Sequence, residues 1–266
     1  MYLSKAISSA TRIAVPAFVL LALLLSGCAT RPFESAELRT ETPIGAIELF
    51  DANGQPISAA PVGVASENLE ILALSGGGAD GAFGAGVLNG WTASGKRPQF
   101  DIVTGVSTGA LIATLAFLGP GYDATLRELY TDTTDAEIYR KKSIVGGLLS
   151  ESFLDYTPLK RQIENVVTPG LVDQIGNEHR HGRRLYVATT NLDAGELTVW
   201  DMGAIAASDF PSDIRTRVTQ KILRASAAVP GLFKPVYFRP RLDSEARQMH
   251  VDGGVKAPVL LRSFMF

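Results

Sequence analysis

The feature of the sequence that most constrains the fold is the stretch from Glu70 to Trp91, EILALSGGGADGAFGAGVLNGW. An apolar run ends here in three glycines, and a segment of small residues follows it. The run is typical of a strand buried on both faces of a sheet, and the small residues favour a helix that packs closely against that strand. This order predicts a strand–turn–helix unit of an α/β domain.

Further segments continue this alternation of strands and helices. The residues FDIVTGVS predict a second buried strand, and TGALIATLAFLG predicts an internal helix directly after it. The other predicted elements are a short strand in IGAIELF, an amphipathic helix in YTPLKRQIENVV, two strands in RRLYVATTNLDAGELTVWDM joined by the turn NLDAGE, and a helix in SDIRTRVTQKILRASAAV. We expect Ser212 or Asp213 to cap this last helix and Pro230-Gly231 to end it.

The N-terminus has the pattern of a targeting segment. Two basic residues precede the apolar run from Ile13 to Leu25, which has signal-peptide length and is short for a membrane span. The next residues, LSGC, resemble a bacterial lipobox, which implies cleavage before Cys28 and attachment of lipid, palmitate for example, to that cysteine. The alternative is an ordinary secretory signal with a chance cysteine. Because Ala29 follows the cysteine, the lipobox reading implies anchoring in the outer membrane, facing the periplasm.

These patterns divide the chain into three parts. Residues 1–27 are the predicted lipoprotein signal peptide, residues 28–67 a polar tether and lead-in, and residues 68–266 a single α/β domain. The formal net charge is −2 and becomes −4 when the signal peptide, with two basic and no acidic residues, is removed. This charge gives no basic surface for nucleic acid, and the single cysteine excludes an intrachain disulfide. No protein partner is predicted.

The residues GVSTG, from Gly105 to Gly109, fit the pattern G-x-S-x-G between a predicted strand and a predicted helix. That setting is typical of a nucleophile elbow, which raises a serine above the carboxyl edge of the sheet. Ser107 is therefore the candidate nucleophile, and the helix beginning near Thr108 would direct its positive end toward the reacting atoms. The alternative is a glycine-rich turn with a solvated serine.

A serine hydroxyl needs a base to act as a nucleophile. His179 and His181 lie in the polar segment GNEHRHGRR and are expected at the surface. His250 precedes Asp252 by two residues, so both side chains would point to the same side of a strand, which is a poor arrangement for a Ser–His–acid triad. Asp252 itself is the better candidate, because a dry pocket raises the proton affinity of a carboxylate. The alternative for Asp252 is a hydrogen-bonded turn in the sequence DGG.

The segments SGGGADG, GVSTG and VDGG occur in this order, and ILRASAAVPGLFKPVYF precedes the last of them. Together they resemble the patatin-like phospholipase family over about Leu69 to Val255. The resemblance implies a three-layer α/β/α sandwich around a mainly parallel sheet. It also implies a serine lipid acyl hydrolase of phospholipase A type, which cleaves carboxylic esters of membrane lipids through an acyl-enzyme.

The resemblance also assigns roles to single residues. Ser107 matches the nucleophile and Asp252 its only side-chain partner, in a dyad without histidine. Gly76, Gly77 and Gly78 match the oxyanion loop, and the remaining motif glycines are Gly81, Gly105, Gly109, Gly253 and Gly254. The resemblance implies no metal and no organic cofactor.

Two departures from the family pattern leave other functions open. Asp80 stands where the oxyanion loop of the family usually carries Arg or Lys, and the chain stops at Phe266, so the domain is expected to be incomplete at its C-terminus. The alternatives are a Ser–His–acid esterase that uses His250 and a catalytically inactive, membrane-anchored binding lipoprotein. A dinucleotide site at the G-x-G-x-x-G of the opening stretch is weaker, because Asp101 begins the second strand instead of ending it. No Gly-Lys-Ser/Thr follows, which excludes a P-loop.

Overall fold

The computed structural model describes residues 46–47, 68–131, 140–141, 154–239, 245–262 and 265. The predicted signal peptide, Cys28 and almost all of the predicted tether lie outside these residues. None of the described helices has both the length and the apolarity that crossing a bilayer requires.

The described elements alternate between strands and helices, as the patterns predict. In chain order they are β1 (Ala46–Ile47), β2 (Ile71–Leu74), α1 (Gly81–Ala93), β3 (Ile102–Val106), α2 (Thr108–Leu118), α3 (Asp123–Thr131), β4 (Arg140–Lys141), β5 (Leu154–Asp155), α4 (Thr157–Val166), α5 (Pro169–Arg180), β6 (Arg184–Asn191), β7 (Glu196–Asp201), α6 (Met202–Ala207), α7 (Ser212–Ser226), β8 (Val236–Phe238) and β9 (Gln248–Asp252). Short 3₁₀ turns cover Gly78–Asp80, Pro120–Tyr122 and Gly253–Val255.

The main sheet is mixed and not mainly parallel. Strands β2, β3 and β6 run parallel, whereas β7 pairs antiparallel with β6, β1 with β7, β9 with β6 and β8 with β9. The difference arises because β6 and β7 are joined by the tight turn NLDAGE, which forces an antiparallel pair, while parallel neighbours need a crossover such as α1. Strands β4 and β5 form a separate antiparallel pair.

The strand β6 is the template that brings distant parts of the chain together. Along one edge of β6, β3 is paired up to Val106, which lies opposite Ala188. The next residue of β6, Thr189, lies opposite Asp252 at the end of β9. Because β3 runs parallel to β6 and β9 antiparallel to it, the carboxyl ends of β3 and β9 face each other there. Residues that follow these two strands must therefore meet.

The larger core lies between the sheet and the helices. Helix α2 is apolar on all sides and is largely buried within this core, as predicted, and buried residues of the other helices pack around it. A second, smaller cluster covers the opposite face of the sheet, where Ile102 and Val106 contact the C-terminal residues Leu260 and Met265. The α/β class is thus confirmed, with the described C-terminal residues packed against the sheet.

Helix α7 differs from the sequence prediction at both ends. Its N-cap is Pro211, whose carbonyl accepts hydrogen bonds from the amides of Ile214 and Arg215, so Ser212 and Asp213 lie inside the first turn and neither caps it. The helix ends at Ser226, before Pro230-Gly231, and the carbonyl of Ala228 just beyond it accepts from the amide of Asp252 on β9.

Candidate active site

Ser107 lies at the sharp turn between β3 and α2, as the sequence predicts. Its backbone angles are φ 55° and ψ −127°, and it is the only non-glycine residue with positive φ in the described part of the chain. Such a conformation is strained and persists only where the surrounding structure holds it. The turn places the side chain directly before the N-terminus of α2, where the helix dipole favours negative charge.

The two glycines of the motif allow close packing around this turn. A Cβ atom at Gly105 would lie 2.6 Å from the Cα of Ala110, and one at Gly109 would lie 2.6 Å from the carbonyl oxygen of Leu74. Any larger residue at either position would push α2 away from β3 and β2. The G-x-S-x-G pattern is therefore a packing requirement as well as a chemical one.

The hydroxyl of Ser107 donates a hydrogen bond to Oδ2 of Asp252 at 2.5 Å. Both residues are buried, with 9 % of Ser107 and 5 % of Asp252 exposed. The second carboxylate oxygen, Oδ1, accepts from the amide of Gly254 at 2.7 Å. Gly253 packs against β6, since a Cβ atom there would lie 2.6 Å from the carbonyl oxygen of Ala188. The two residues predicted to pair, 145 positions apart, are within hydrogen-bonding distance.

Burial controls the proton affinity of this carboxylate. It raises the pKa of Asp252 above its ordinary value, and the hydrogen bonds from the Ser107 hydroxyl and the Gly254 amide oppose this shift in part. The carboxylate is thus a stronger base than an exposed aspartate, and its acceptor oxygen lies against the hydroxyl proton. The arrangement can remove that proton as the serine oxygen attacks an electrophile.

His250 is not brought to the nucleophile. Its ring is fully buried beside Phe238 and Trp200, with Nδ1 2.9 Å from the hydroxyl of Thr189 and Nε2 3.4 Å from the side-chain carbonyl of Gln248. Burial is the main cause that lowers the pKa of His250, to about 3. A neutral imidazole held in this way has a packing role, and the geometry does not support the triad alternative.

The other two histidines differ from each other. His181 is exposed, as predicted, whereas His179 is half-buried near the end of helix α5, with Nδ1 3.7 Å from a carboxylate oxygen of Asp201. Burial lowers the pKa of His179 and the charge of Asp201 opposes this shift. The segment predicted as a polar loop is therefore largely the last turn of a helix.

The glycine loop lies beside the serine, and its three glycines differ. The amide of Gly76 donates to the carbonyl of Pro258 at 3.0 Å, and a Cβ atom at Gly76 would lie 3.1 Å from the Cβ of Ser107. Gly76 therefore fixes the loop against the nucleophile, and its amide is already occupied, contrary to its predicted role as an oxyanion donor. The amides of Gly77 and Gly78 have no acceptor among the described residues.

The remaining loop residues face in two directions. Asp80 is exposed, and its carboxylate lies beside Gly77, where a Cβ atom would be 3.9 Å from Oδ2. Gly81 is buried against Thr108, whose hydroxyl is 2.6 Å from that of Tyr130. Burial raises the pKa of Tyr130 to about 12, so this hydroxyl stays protonated. Gly81 thus permits α1 to approach the N-terminus of α2, while Asp80 places a charge at the mouth of the site.

An open groove of about 750 Å³ begins at this loop and runs between β2 and α1. Gly76 and Asp80 line one end of it. Its walls carry apolar side chains, of which Phe83 is 79 % exposed. The other apolar residues that line it include Leu72, Leu74, Val87 and Trp91. A groove of this kind, continuous with the residue that contacts Ser107, is suited to an apolar ligand.

The described residues contain no group of three or more His, Cys, Asp or Glu placed to hold a metal ion. The carboxylate of Asp101, the candidate for a dinucleotide site, accepts from the amide of Glu70 at 2.9 Å at the start of β3. It therefore has a structural role at the opposite end of the strand from Ser107.

One solved structure similar to this chain is that of VipD from Legionella pneumophila, at 13% sequence identity and a TM-score of 0.46, covering 87% of this chain and 53% of that one. The chain thus spans about half the length of that protein. No curated protein matches the sequence. The family model for patatin-like phospholipase matches residues 72–265, which is most of the chain. The chain therefore belongs to the patatin-like phospholipase family.

Proposed function

We propose that this protein is a serine hydrolase that cleaves carboxylic ester bonds of membrane lipids through an acyl-enzyme on Ser107. The family supports lipid acyl hydrolysis in general. The observation that carries the finer proposal is the 2.5 Å hydrogen bond from the Ser107 hydroxyl to the Asp252 carboxylate at a strained elbow. Nucleophile and base within hydrogen-bond reach are the geometric requirement for this chemistry.

In the first half of the reaction, Asp252 takes the proton of Ser107 as the serine oxygen attacks the ester carbonyl. The amides of Gly77 and Gly78, with the N-terminus of α2, stabilise the oxyanion. The alcohol or lysolipid leaves with the proton from Asp252, and the acyl group remains on the serine oxygen. Water then attacks the acyl-serine, Asp252 takes its proton, and the fatty acid leaves as the serine recovers its hydrogen.

The groove between β2 and α1 supports an acyl chain as the apolar part of the substrate. It begins at Gly76, which contacts Ser107, and runs past Phe83 and Val87 toward Trp91. Trp91 lies ten positions after Gly81 on this helix, a length of about 15 Å. At about 1.2 Å per backbone bond in an extended chain, this span fits roughly a dozen acyl carbons.

We also propose that Cys28 carries lipid and holds the domain at the outer membrane, facing the periplasm. The lone cysteine directly after LSG supports this proposal. Metabolic labelling with a clickable fatty acid should tag the wild type and leave Cys28→Ser untagged. Equal tagging of both proteins would exclude this residue as the attachment site.

A fluorophosphonate probe tests the nucleophile directly, and mass spectrometry of mixed membrane lipids incubated with purified protein tests the substrate class. The wild type should be labelled and should release fatty acids, whereas Ser107→Ala should do neither. His250→Gln should keep substantial activity, because His250 lies in the packed interior. If His250→Gln is as inactive as Ser107→Ala while its circular dichroism is unchanged, the dyad is wrong. If the folded wild type is neither labelled nor active, the inactive binding lipoprotein replaces the enzyme.

A further inference from the structure

The backbone amides of both proposed dyad residues are held by one short segment at the end of helix α7. The amide of Ser107 donates to the hydroxyl oxygen of Ser226 at 2.9 Å, and the amide of Asp252 donates to the carbonyl oxygen of Ala228 at 2.9 Å. Ser226 is fully buried and Ala228 is 3 % exposed. Two residues far apart in the sequence are thus fastened to positions only two residues apart, which we call the 226–228 segment.

The hydroxyl of Ser226 makes two bonds at once. While its oxygen accepts from Ser107, its hydrogen is donated to the carbonyl oxygen of Ala188 on β6, at 2.8 Å. Ala188 lies opposite Val106 in the sheet, and its carbonyl also contacts Gly253, the residue after Asp252. The hydroxyl therefore connects the elbow to the strand along which the dyad is assembled.

The elbow requires such a partner. Ser107 precedes the first turn of α2, so its amide is outside the hydrogen-bond ladder of that helix. A buried amide without an acceptor is costly, and the strained backbone at φ 55° persists only if its surroundings hold it. Ser226 supplies the acceptor at this position.

We propose that Ser226 is a positioning residue for the dyad. Its hydroxyl sets the place of Ser107, while the carbonyl of Ala228 in the same segment sets the place of Asp252, so the segment fixes the distance between nucleophile and base. This inference rests on the proposed function, because it gives the segment a role in that reaction. It adds a residue that acts through the backbone of Ser107 without touching the substrate.

The test compares Ser226→Ala with Thr216→Ala. Thr216 lies on the same helix, is 6 % exposed, and donates its hydroxyl to the carbonyl of Ser212 at 2.8 Å, away from the dyad. Both variants lose one buried hydroxyl. We expect Ser226→Ala to lower kcat and the rate of fluorophosphonate labelling about ten- to a hundredfold with little change in KM, since small misplacements of reacting groups cost this much. Thr216→Ala should lose thermal stability and keep its labelling rate.

Ser226→Cys keeps the test decisive if the alanine variant does not fold. The thiol has nearly the size of the hydroxyl but is a weak donor and acceptor, so its labelling rate should lie between those of the wild type and Ser226→Ala. Wild-type labelling by either folded Ser226 variant would overturn the inference. So would a Thr216→Ala protein that loses as much rate as Ser226→Ala.

A readout without catalysis separates this inference from the proposed function. In ¹⁵N-labelled protein, Ser226→Ala or Ser226→Cys should accelerate hydrogen exchange at the amide of Ser107, and Thr216→Ala should not. If the wild type is unreactive but this pattern holds, the proposed function fails and the fastening of the elbow stands. If exchange at Ser107 is unchanged in the folded Ser226 variants, the fastening itself is wrong.

Discussion

The two sides of the candidate site are built differently. On the dyad side, Ser107 and Asp252 are buried, and the backbone amide of each has a partner in the core. On the loop side, the residues from Gly77 to Asp80 are exposed, and the backbone hydrogen bonds of the loop include those from Gly76 to Pro258 and from Asp80 to Gly77. In the proposed mechanism, proton transfer is thus preorganised by the folded interior, whereas oxyanion binding depends on a surface loop. Substitutions on the two sides should therefore differ in how they change turnover, its pH dependence and the stability of the fold.

The largest effect should come from removing the base while keeping its shape. Asp252→Asn and Ser107→Ala should each lower turnover about a thousandfold or more, because general-base and nucleophile roles are lost, and the double variant should be little worse than either. Since burial raises the pKa of Asp252, the folded state binds this proton more tightly than the unfolded state. Ionisation of this carboxylate therefore lowers the free energy of unfolding as the pH rises from the pKa in the unfolded state to the raised pKa in the folded state. Asp252→Asn should thus unfold at an equal or higher temperature than the wild type at pH 7.

Thermal unfolding at two pH values checks this assignment. The stability advantage of Asp252→Asn over the wild type should shrink as the pH is lowered and the native carboxyl takes up its proton. If Asp252→Asn is markedly less stable than the wild type at neutral pH, the carboxylate charge stabilises the fold. That result would contradict a raised pKa of Asp252.

The pH dependence of turnover should report the dyad side alone. The base must be ionised, so kcat/KM should fall about tenfold per pH unit below the pKa of Asp252 in the free enzyme. Because burial raises that pKa, the midpoint should lie above the ordinary aspartate value of about 3.9. His250→Gln should leave the midpoint unchanged, since the pKa of His250 is lowered to about 3 in its buried position. A midpoint near that of free imidazole, lost in His250→Gln, would contradict the assignment.

A backbone change in the loop should separate catalysis from stability. Gly78 has φ 57°, and a Cβ atom there would meet nothing within 4 Å, so Gly78→Ala adds strain without a clash. We expect a stability loss of about 1 kcal/mol and a fall in turnover of about tenfold, as the donor moves from its place. Gly95 has φ 71°, is exposed, and is equally open, so Gly95→Ala is the matched control. If the two variants are equally active, the amide of Gly78 does not donate to the oxyanion.

The groove should control chain length, with an effect confined to long substrates. Gly84 lines the groove on α1, and a leucine there would fill its middle part. We expect Gly84→Leu to lower kcat/KM for dodecanoyl esters about tenfold relative to butanoyl esters, because several buried methylenes lose their contacts. Gly86 lies on the same helix, exposed and outside the groove, so Gly86→Leu should keep the wild-type ratio. The same ratio for both variants would place the acyl chain elsewhere.

The smallest effect should come from the charge of Asp80. This residue is exposed beside Gly77, and no ion pair of Asp80 occurs within the described residues. A negative charge near a developing oxyanion is unfavourable. In water, a charge several ångströms from the reacting atoms changes rates by about two- to threefold. Asp80→Asn should therefore raise turnover by this factor at low salt, and the gain should shrink in high salt because exposed charges are screened. A loss of activity would give Asp80 a positive role in catalysis.

The sequence predicts well those features that short stretches encode. The buried strand before Ser107 and the apolar helix after it are local patterns, and their order alone predicts the elbow. Residue chemistry favoured Asp252 over His250 as the base, but its pairing with Ser107 rested on the resemblance to a known family, because no local pattern links residues so far apart. The mixed sheet was missed because strand pairing is decided by neighbours that pattern alone does not identify.

The partners of individual backbone groups were also beyond prediction. Gly76 was predicted as a donor to the oxyanion, but its amide bonds Pro258, a contact that exists only after the C-terminal residues have folded over the sheet. Ser226 is the one serine of ILRASAAVPGLFKPVYF, the segment that resembles the family, yet no local pattern shows which groups its hydroxyl bonds. Its role depends on which carbonyl and which amide the fold places on either side.

The head-to-head meeting of β3 and β9 along β6 has a consequence for how the protein acquires activity during folding. A local helix or hairpin can form early, but this meeting closes a loop of more than a hundred residues and is entropically late. During refolding, far-ultraviolet ellipticity should therefore recover before the serine becomes reactive. The lag between the two signals would measure when β9 pairs with β6. The reactivity of Ser107 would then report completion of the fold.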